Sequence, residues 1–133
     1  MSEIITGVHH ISFKTLGVEE FYKTVDFYTS LLGMKVVHSW GSGERLGVMI
    51  DTGNCYLEIS SDAKEHKEAG LIAHFALKCS DPDNMIEKMQ NAGYTVTLAP
   101  RDHHFPESDP GYDARVCFII GPCGETIEFF KEY

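Results

Sequence analysis

The order of segments along this chain predicts an α+β protein in which one unit, a strand, a helix and three strands, occurs twice. Three observations predict it. Two segments carry helical periodicity with clear stop signals. Strand-like segments surround each of them in the same order. A histidine in the first strand and a glutamate in the last strand recur at matching places in the two halves.

The first helix is expected over Val18–Leu32. Phe21, Val25, Tyr28 and Leu32 fall at i, i+4, i+7 and i+11 on one apolar face, and Gly33 supplies the stop. The second is expected over Pro82–Ala92. Asp81 is a good N-cap, Pro82 suits the first helical position, Met85, Ile86 and Met89 give the apolar face, and Gly93 ends it.

Strands are expected over Val8–Thr15, Lys35–Trp40, Leu46–Asp51 and Cys55–Ser60, separated by Gly-rich turns. A polar linker, Ser61–Gly70, follows. The second set is Leu71–Cys79, Tyr94–Leu98, Ala114–Ile120 and Thr126–Phe130. One module thus spans 7–60 and the other 71–131, within a single domain of 1–133. The step from His10 to Glu58 is 48 residues and that from His74 to Glu128 is 54. The difference falls in one insertion, Pro100–Asp113, whose Pro, Asp and Gly content reads as a long loop.

Strand parity then places the ionisable residues. Ile11 and Phe13 lie opposite His10, and Leu57 and Ile59 opposite Glu58. Ala73, Phe75 and Leu77 lie opposite His74, and Ile127 and Phe129 opposite Glu128. All four should share the face that the helices do not cover. A lone His or Glu on a strand is usually a solvated residue; two matching pairs are a sharper signal. Two imidazoles and two carboxylates make a mixed nitrogen/oxygen donor set for a divalent ion such as Ni, Co, Fe, Mn or Zn, with positions left open. Such an ion can polarise a substrate oxygen, and a neighbouring carboxylate can shuttle a proton.

Composition narrows the partners. The net charge is −9, with no basic stripe, which argues against nucleic acid and against an anionic membrane surface. Neither a signal segment nor a membrane-spanning apolar run is visible, so a cytoplasmic protein is expected. The four cysteines form no CxxC pair, and their spacing does not suit a closed zinc site, so reduced, buried thiols are expected.

The remaining histidines read as follows. His9 should point to the helix face as a structural residue, and His38 and His66 should be solvated. His103 and His104 lie in the insertion near Arg101, where the alternatives are an exposed polar loop and a lid that meets an anionic substrate.

Five segments carry a family resemblance: Val8-His-His-Ile-Ser-Phe, Asp26-Phe-Tyr-Thr-Ser-Leu-Leu-Gly-Met34, Tyr56-Leu-Glu58, Ile72-Ala-His74-Phe-Ala-Leu and Gly121-Pro-Cys-Gly-Glu-Thr-Ile-Glu128-Phe. On these the chain resembles the vicinal oxygen chelate superfamily, and within it bacterial glyoxalase I. The resemblance implies two βαβββ modules curling a mixed sheet around a metal cleft. It also implies one divalent ion, most readily Ni, Co or Zn, on His10, Glu58, His74 and Glu128. The implied reaction is lyase/isomerase chemistry on a 2-oxoaldehyde thiol adduct, by proton transfer through a metal-bound enediolate. Glu128 or Glu58 is then the base and a homodimer the assembly; Lys14 at the family position, and Arg101 and His104 from the insertion, are the substrate-binding candidates.

Two departures bear on the substrate. Glutathione-dependent relatives usually carry Arg and Asn where this chain has Lys14 and Asp62, and Asp62 would repel a carboxylate. The rival readings are an acyl-CoA or sugar epimerase of the methylmalonyl-CoA epimerase type, and a non-catalytic binding protein like the bleomycin-resistance proteins. The latter generally lack the ligand set.

Overall fold

The computed structural model describes residues 7–65, 73–106, 108 and 110–133. The chain divides into two compact units, one up to residue 66 and one from 67. Each is a βαβββ module, so the α+β expectation holds.

In the first unit the elements are β1 (His10–Lys14), α1 (Gly17–Asp26) with a π-helical continuation (Phe27–Leu31), β2 (Lys35–Ser42), β3 (Arg45–Asp51) and β4 (Tyr56–Ser60). The sheet order is β1-β4-β3-β2. β1 runs parallel to β4, with Ser12 opposite Glu58, and the other pairs are antiparallel. The second unit repeats this with β5 (Phe75–Lys78), α2 (Pro82–Asn91), β6 (Val96–Phe105), β7 (Tyr112–Ile120) and β8 (Thr126–Glu132). Its order is β5-β8-β7-β6, and parallel β5 and β8 place Ala76 opposite Glu128.

Helix α1 departs from the expected single helix. Its regular part ends at Asp26, and Leu32 N–H then donates to the Phe27 carbonyl, five residues back, at 3.0 Å. Thr29 Oγ1 donates to the Val25 carbonyl at 2.7 Å and Ser30 Oγ to Asp26 Oδ1 at 2.8 Å, which favours widening of this turn. The widened turn lets two consecutive aromatics, Phe27 and Tyr28, both be buried, with rings 4.9 Å apart and nearly perpendicular. Phe21 and Thr24 complete the buried face, while Val25 and Leu32 are only half-buried. Gly33 stops the helix as expected, at φ +79. Helix α2 matches its expected capping: Asp81 accepts from the Asn84 N–H at 3.1 Å and Pro82 opens the helix.

Thr24 adds a cost. It is fully buried, and its hydroxyl has no hydrogen-bond partner among the described residues. Thr24→Val keeps the shape and removes the unpaired group, so we expect it to raise unfolding stability by about 1 kcal/mol. A urea titration measures this, and a destabilised variant would show that the hydroxyl is satisfied.

The core of the first unit is built on Phe21, Phe27, Tyr28, Val48, Ile50, Leu57 and Ile59; that of the second on Ile86, Met89, Ile119, Ile127 and Phe129 with Cys117. Cys117 is fully buried, its thiol pushed up to about 12 by desolvation. Cys55, Cys79 and Cys123 are only half-buried, so the expectation of four buried thiols holds for Cys117 alone.

The composition of Pro100–Asp113 predicts a loop, but β6 continues to Phe105 and β7 begins at Tyr112, so most of the segment is a longer hairpin. Pro100 is tolerated because β6 is an edge strand, and the register shifts between Leu98 and Arg101, where the proline sits. Phe105 and Tyr112 stack near the turn, with centroids 4.4 Å apart and planes 13° apart. Of the expected linker, Ser61 is buried and bonded to Leu46 N–H and the Glu44 carbonyl, while 66–70 lie outside the described residues. So do His66, and Leu71 and Ile72 of the expected fifth strand. Among the described residues no helix is long and apolar enough to cross a membrane.

Candidate metal centre

The second unit brings His74 and Glu128 together. His74 immediately precedes β5, and Glu128 lies on neighbouring β8. His74 Nε2 stands 3.2 Å from Glu128 Oε1. Glu128 is the only buried charged residue among those described, because Ile127 and Phe129 anchor its strand in the core on the opposite face. The β7–β8 turn fixes where the strand starts. Gly121 N–H donates to the Glu125 carbonyl at 2.7 Å, and Gly124 takes φ +87, which a glycine adopts without strain. Phe118, opposite Glu128 on β7, sets its ring edge-on to the His74 imidazole at 5.1 Å.

Burial pushes the Glu128 carboxyl up, opposed by the charge of His74 and by its hydrogen bond. The net effect is a carboxylate that accepts a proton more readily than an exposed one.

The first unit reproduces the register. His10 opens β1 and stands two residues before Ser12, the partner of Glu58, as His74 stands two before Ala76, the partner of Glu128. One difference separates the pairs. Ser12 Oγ donates to Glu58 Oε1 at 3.0 Å, whereas Ala76 offers Glu128 no hydroxyl. A carboxylate that accepts a hydrogen bond is held in one orientation. Register therefore makes the two glutamates inequivalent.

Among the described residues no group of three or more His, Cys, Asp or Glu side chains clusters as a metal site. The candidate ligands come as two pairs, one in each unit. The donor chemistry fits a divalent ion, and so does the spacing seen in the second pair. Ligand atoms about 2.1 Å from an ion and at right angles lie about 3.0 Å apart; His74 and Glu128 are at 3.2 Å.

The flanking residues sort differently from the expectation. His9 is exposed, with Nδ1 2.9 Å from His10 Nδ1 and its ring 5.2 Å from Tyr56, instead of lying under a helix. It precedes β1, so strand parity does not govern it. Lys14 shares a face with His10 and Ser12, but its Nζ lies 3.6 Å from Asp62 Oδ2. The Ser60 hydroxyl, with Lys14, holds Asp62 below the usual carboxylate range. The Lys14 charge is thus already opposed.

His104 pairs with Asp113 across β6 and β7. It shares a face with Asp102 and Arg115, the face against α2, where Arg115 binds Asp83 in two bonds at 2.5 and 2.8 Å. By parity His103, opposite Ala114, takes the Glu128 face in its place. Sequence reasoning missed this exchange because it read the segment as a loop, to which parity does not apply. Parity did put Ser12 beside His10, but its bond to Glu58 depends on the β1–β4 register.

The family model described as the Glyoxalase/Bleomycin resistance protein/Dioxygenase superfamily matches residues 7–129. A glyoxalase family protein from Enterococcus faecalis is 17% identical, with TM-score 0.71 over 96% of this chain and 98% of that one. The trypanothione-dependent glyoxalase I of Leishmania major is 20% identical, with TM-score 0.65 over 92% of this chain and 84% of that one. A glyoxalase I mutant from Zea mays is 17% identical, with TM-score 0.70 over 91% of this chain and 43% of that one. At these identities the likeness is one of fold. Among curated proteins no relative is found.

Proposed function

Since the chain belongs to the glyoxalase/bleomycin resistance protein/dioxygenase superfamily, we propose that it is a metal-dependent lyase/isomerase of the glyoxalase I kind, acting on the thiol adduct of a 2-oxoaldehyde. The observation that carries this reading is the His74–Glu128 pair, at 3.2 Å, repeated in register by His10 and Glu58. In this proposal the four side chains hold one divalent ion, Ni, Co or Zn. Such an ion, when bound, polarises adjacent substrate oxygens and acidifies the C–H bond beside them.

The protein's own groups do the rest. Glu128 takes the proton from that carbon and returns it to the neighbouring one. Its strand partner Ala76 leaves it without the hydroxyl that engages Glu58. His74 would share the ion with Glu128 through the nitrogen that faces it. The Ser12 hydroxyl bond holds the Glu58 carboxylate in one orientation, as a ligand needs. Phe118 packs against His74 and limits water on that side.

The test is metal content after dialysis, for the natural protein and for His74→Ala, together with turnover of methylglyoxal mixed with simple thiols. We expect about one ion per four-ligand set, little in the variant, and turnover only with metal present. Equal metal in both proteins would remove His74 from the site. A metal-loaded protein without turnover on any thiol adduct would refute the reaction class.

A further inference from the structure

The face of the second sheet that carries Glu128 can be followed outward, rung by rung. Leu98, Phe118, Glu128 and Ala76 form one rung across β6, β7, β8 and β5. On the next stand Arg101, Val116, Phe130 and Lys78. Two residues along a strand and two strand spacings across put the Arg101 and Glu128 backbones about 12 Å apart, of which an extended arginine covers about half. The surface between them is apolar, made by Phe118, Val116 and Phe130.

Arg101 is exposed and makes no ion pair with any described residue. On the Glu128 sheet the other cations are engaged or stand elsewhere, whereas on the Glu58 face Lys35, opposite Asp51, and Arg45 are exposed. Arg115 is held by Asp83 and Asp102 on the opposite face, and Lys14 faces Asp62. Lys78 shares the Glu128 face but lies on β5, the far edge from β6. Glu132 is also on this face, one rung beyond Arg101 and two strands away.

We infer that Arg101 binds a carboxylate of the substrate, and that the substrate is a carbonyl compound carrying this group about four bonds from its reacting carbon. The inference rests on the reading above and names its substrate class. The reacting oxygens lie at His74 and Glu128, a short apolar spacer crosses Phe118, and the guanidinium takes the carboxylate in a two-pronged bond that a lysine cannot form. At a net charge of −9 the protein's overall field disfavours anions. A preference for an anionic ligand therefore has to come from a local cation.

The experiment uses two hydroxamates, each of which presents two adjacent oxygens. Acetohydroxamate is uncharged beyond that group, whereas succinic acid monohydroxamate adds a carboxylate on a two-carbon spacer. Calorimetry on nickel-loaded full-length protein should give binding of the succinic compound tighter by on the order of tenfold. Arg101→Gln should abolish the difference and leave acetohydroxamate binding unchanged, while Lys78→Gln should preserve it. Equal binding of the two compounds by the natural protein, or a preference that survives in Arg101→Gln, would overturn the assignment of Arg101 alone. Binding of neither compound by metal-loaded protein would overturn the oxygen-chelating reading and the inference with it.

Discussion

Glu128→Gln should retain its metal yet lose on the order of 10² or more in turnover of a thiol adduct, the usual scale for a positioned acid–base group. The amide keeps the volume and one oxygen donor but cannot accept the substrate proton. Glu58→Gln should cost less, because the Ser12 hydroxyl already engages that carboxylate through a 3.0 Å hydrogen bond. The comparison is made by single-turnover rates and by exchange of the substrate proton with deuterated solvent. Full exchange in Glu128→Gln with metal bound would transfer the proton step elsewhere, and a larger loss in Glu58→Gln would reverse the two roles.

The same substitution has a second readout in metal-free protein. Burial raises the folded-state pKa of Glu128 above its ordinary value of 4.5. A raised carboxyl contributes stability that is fully present below the unfolded pKa and is lost as pH rises through the folded one. In metal-free protein Glu128 should therefore subtract stability as pH rises above its ordinary value of 4.5, and Glu128→Gln should remove that contribution. Urea midpoints across this range measure it; a natural protein and a variant with parallel profiles would show that the carboxyl is not destabilised by burial.

Phe129→Ala should give the largest loss of stability, about 3–5 kcal/mol. Phe129 is 1% exposed and sits on β8 beside Glu128, opposite Leu77 on β5 and Cys117 on β7. Removing its ring opens a cavity on the helix side of the strand that carries Glu128. A domain of this size has only about 5–15 kcal/mol in total, so the variant should unfold at much lower urea and bind metal more weakly. A drop in stability below about 1 kcal/mol would mean that the ring is not part of a packed core.

What could be read in advance follows from the range of the forces involved. Helix stops are local, so Gly33, Asp81, Pro82 and Gly93 marked the helices without knowledge of the fold. Strand parity is local too, and it placed Glu58 and Glu128 opposite core residues. Parity failed where its premise failed. Pro100 and its neighbours have loop composition, yet an edge strand needs hydrogen bonds on one side only, so β6 runs on through the proline to Phe105. That extension decides that His103, and not His104, shares the Glu128 face. The π-helical turn was illegible for a similar reason, since it depends on burying Phe27 and Tyr28 together.

By itself the sequence determined the repeat, the helix limits and the identity of the two His/Glu pairs, because these rest on spacing along the chain. Only the tertiary structure decided how those residues differ. Register set Ser12 against one glutamate and Ala76 against the other, opposed Lys14 with Asp62, and left Arg101 on the Glu128 face. Residues 46 to 48 positions apart meet only after the strands pair, and the hydrogen bonds, charge pairing and burial that set each group's chemistry come from those meetings.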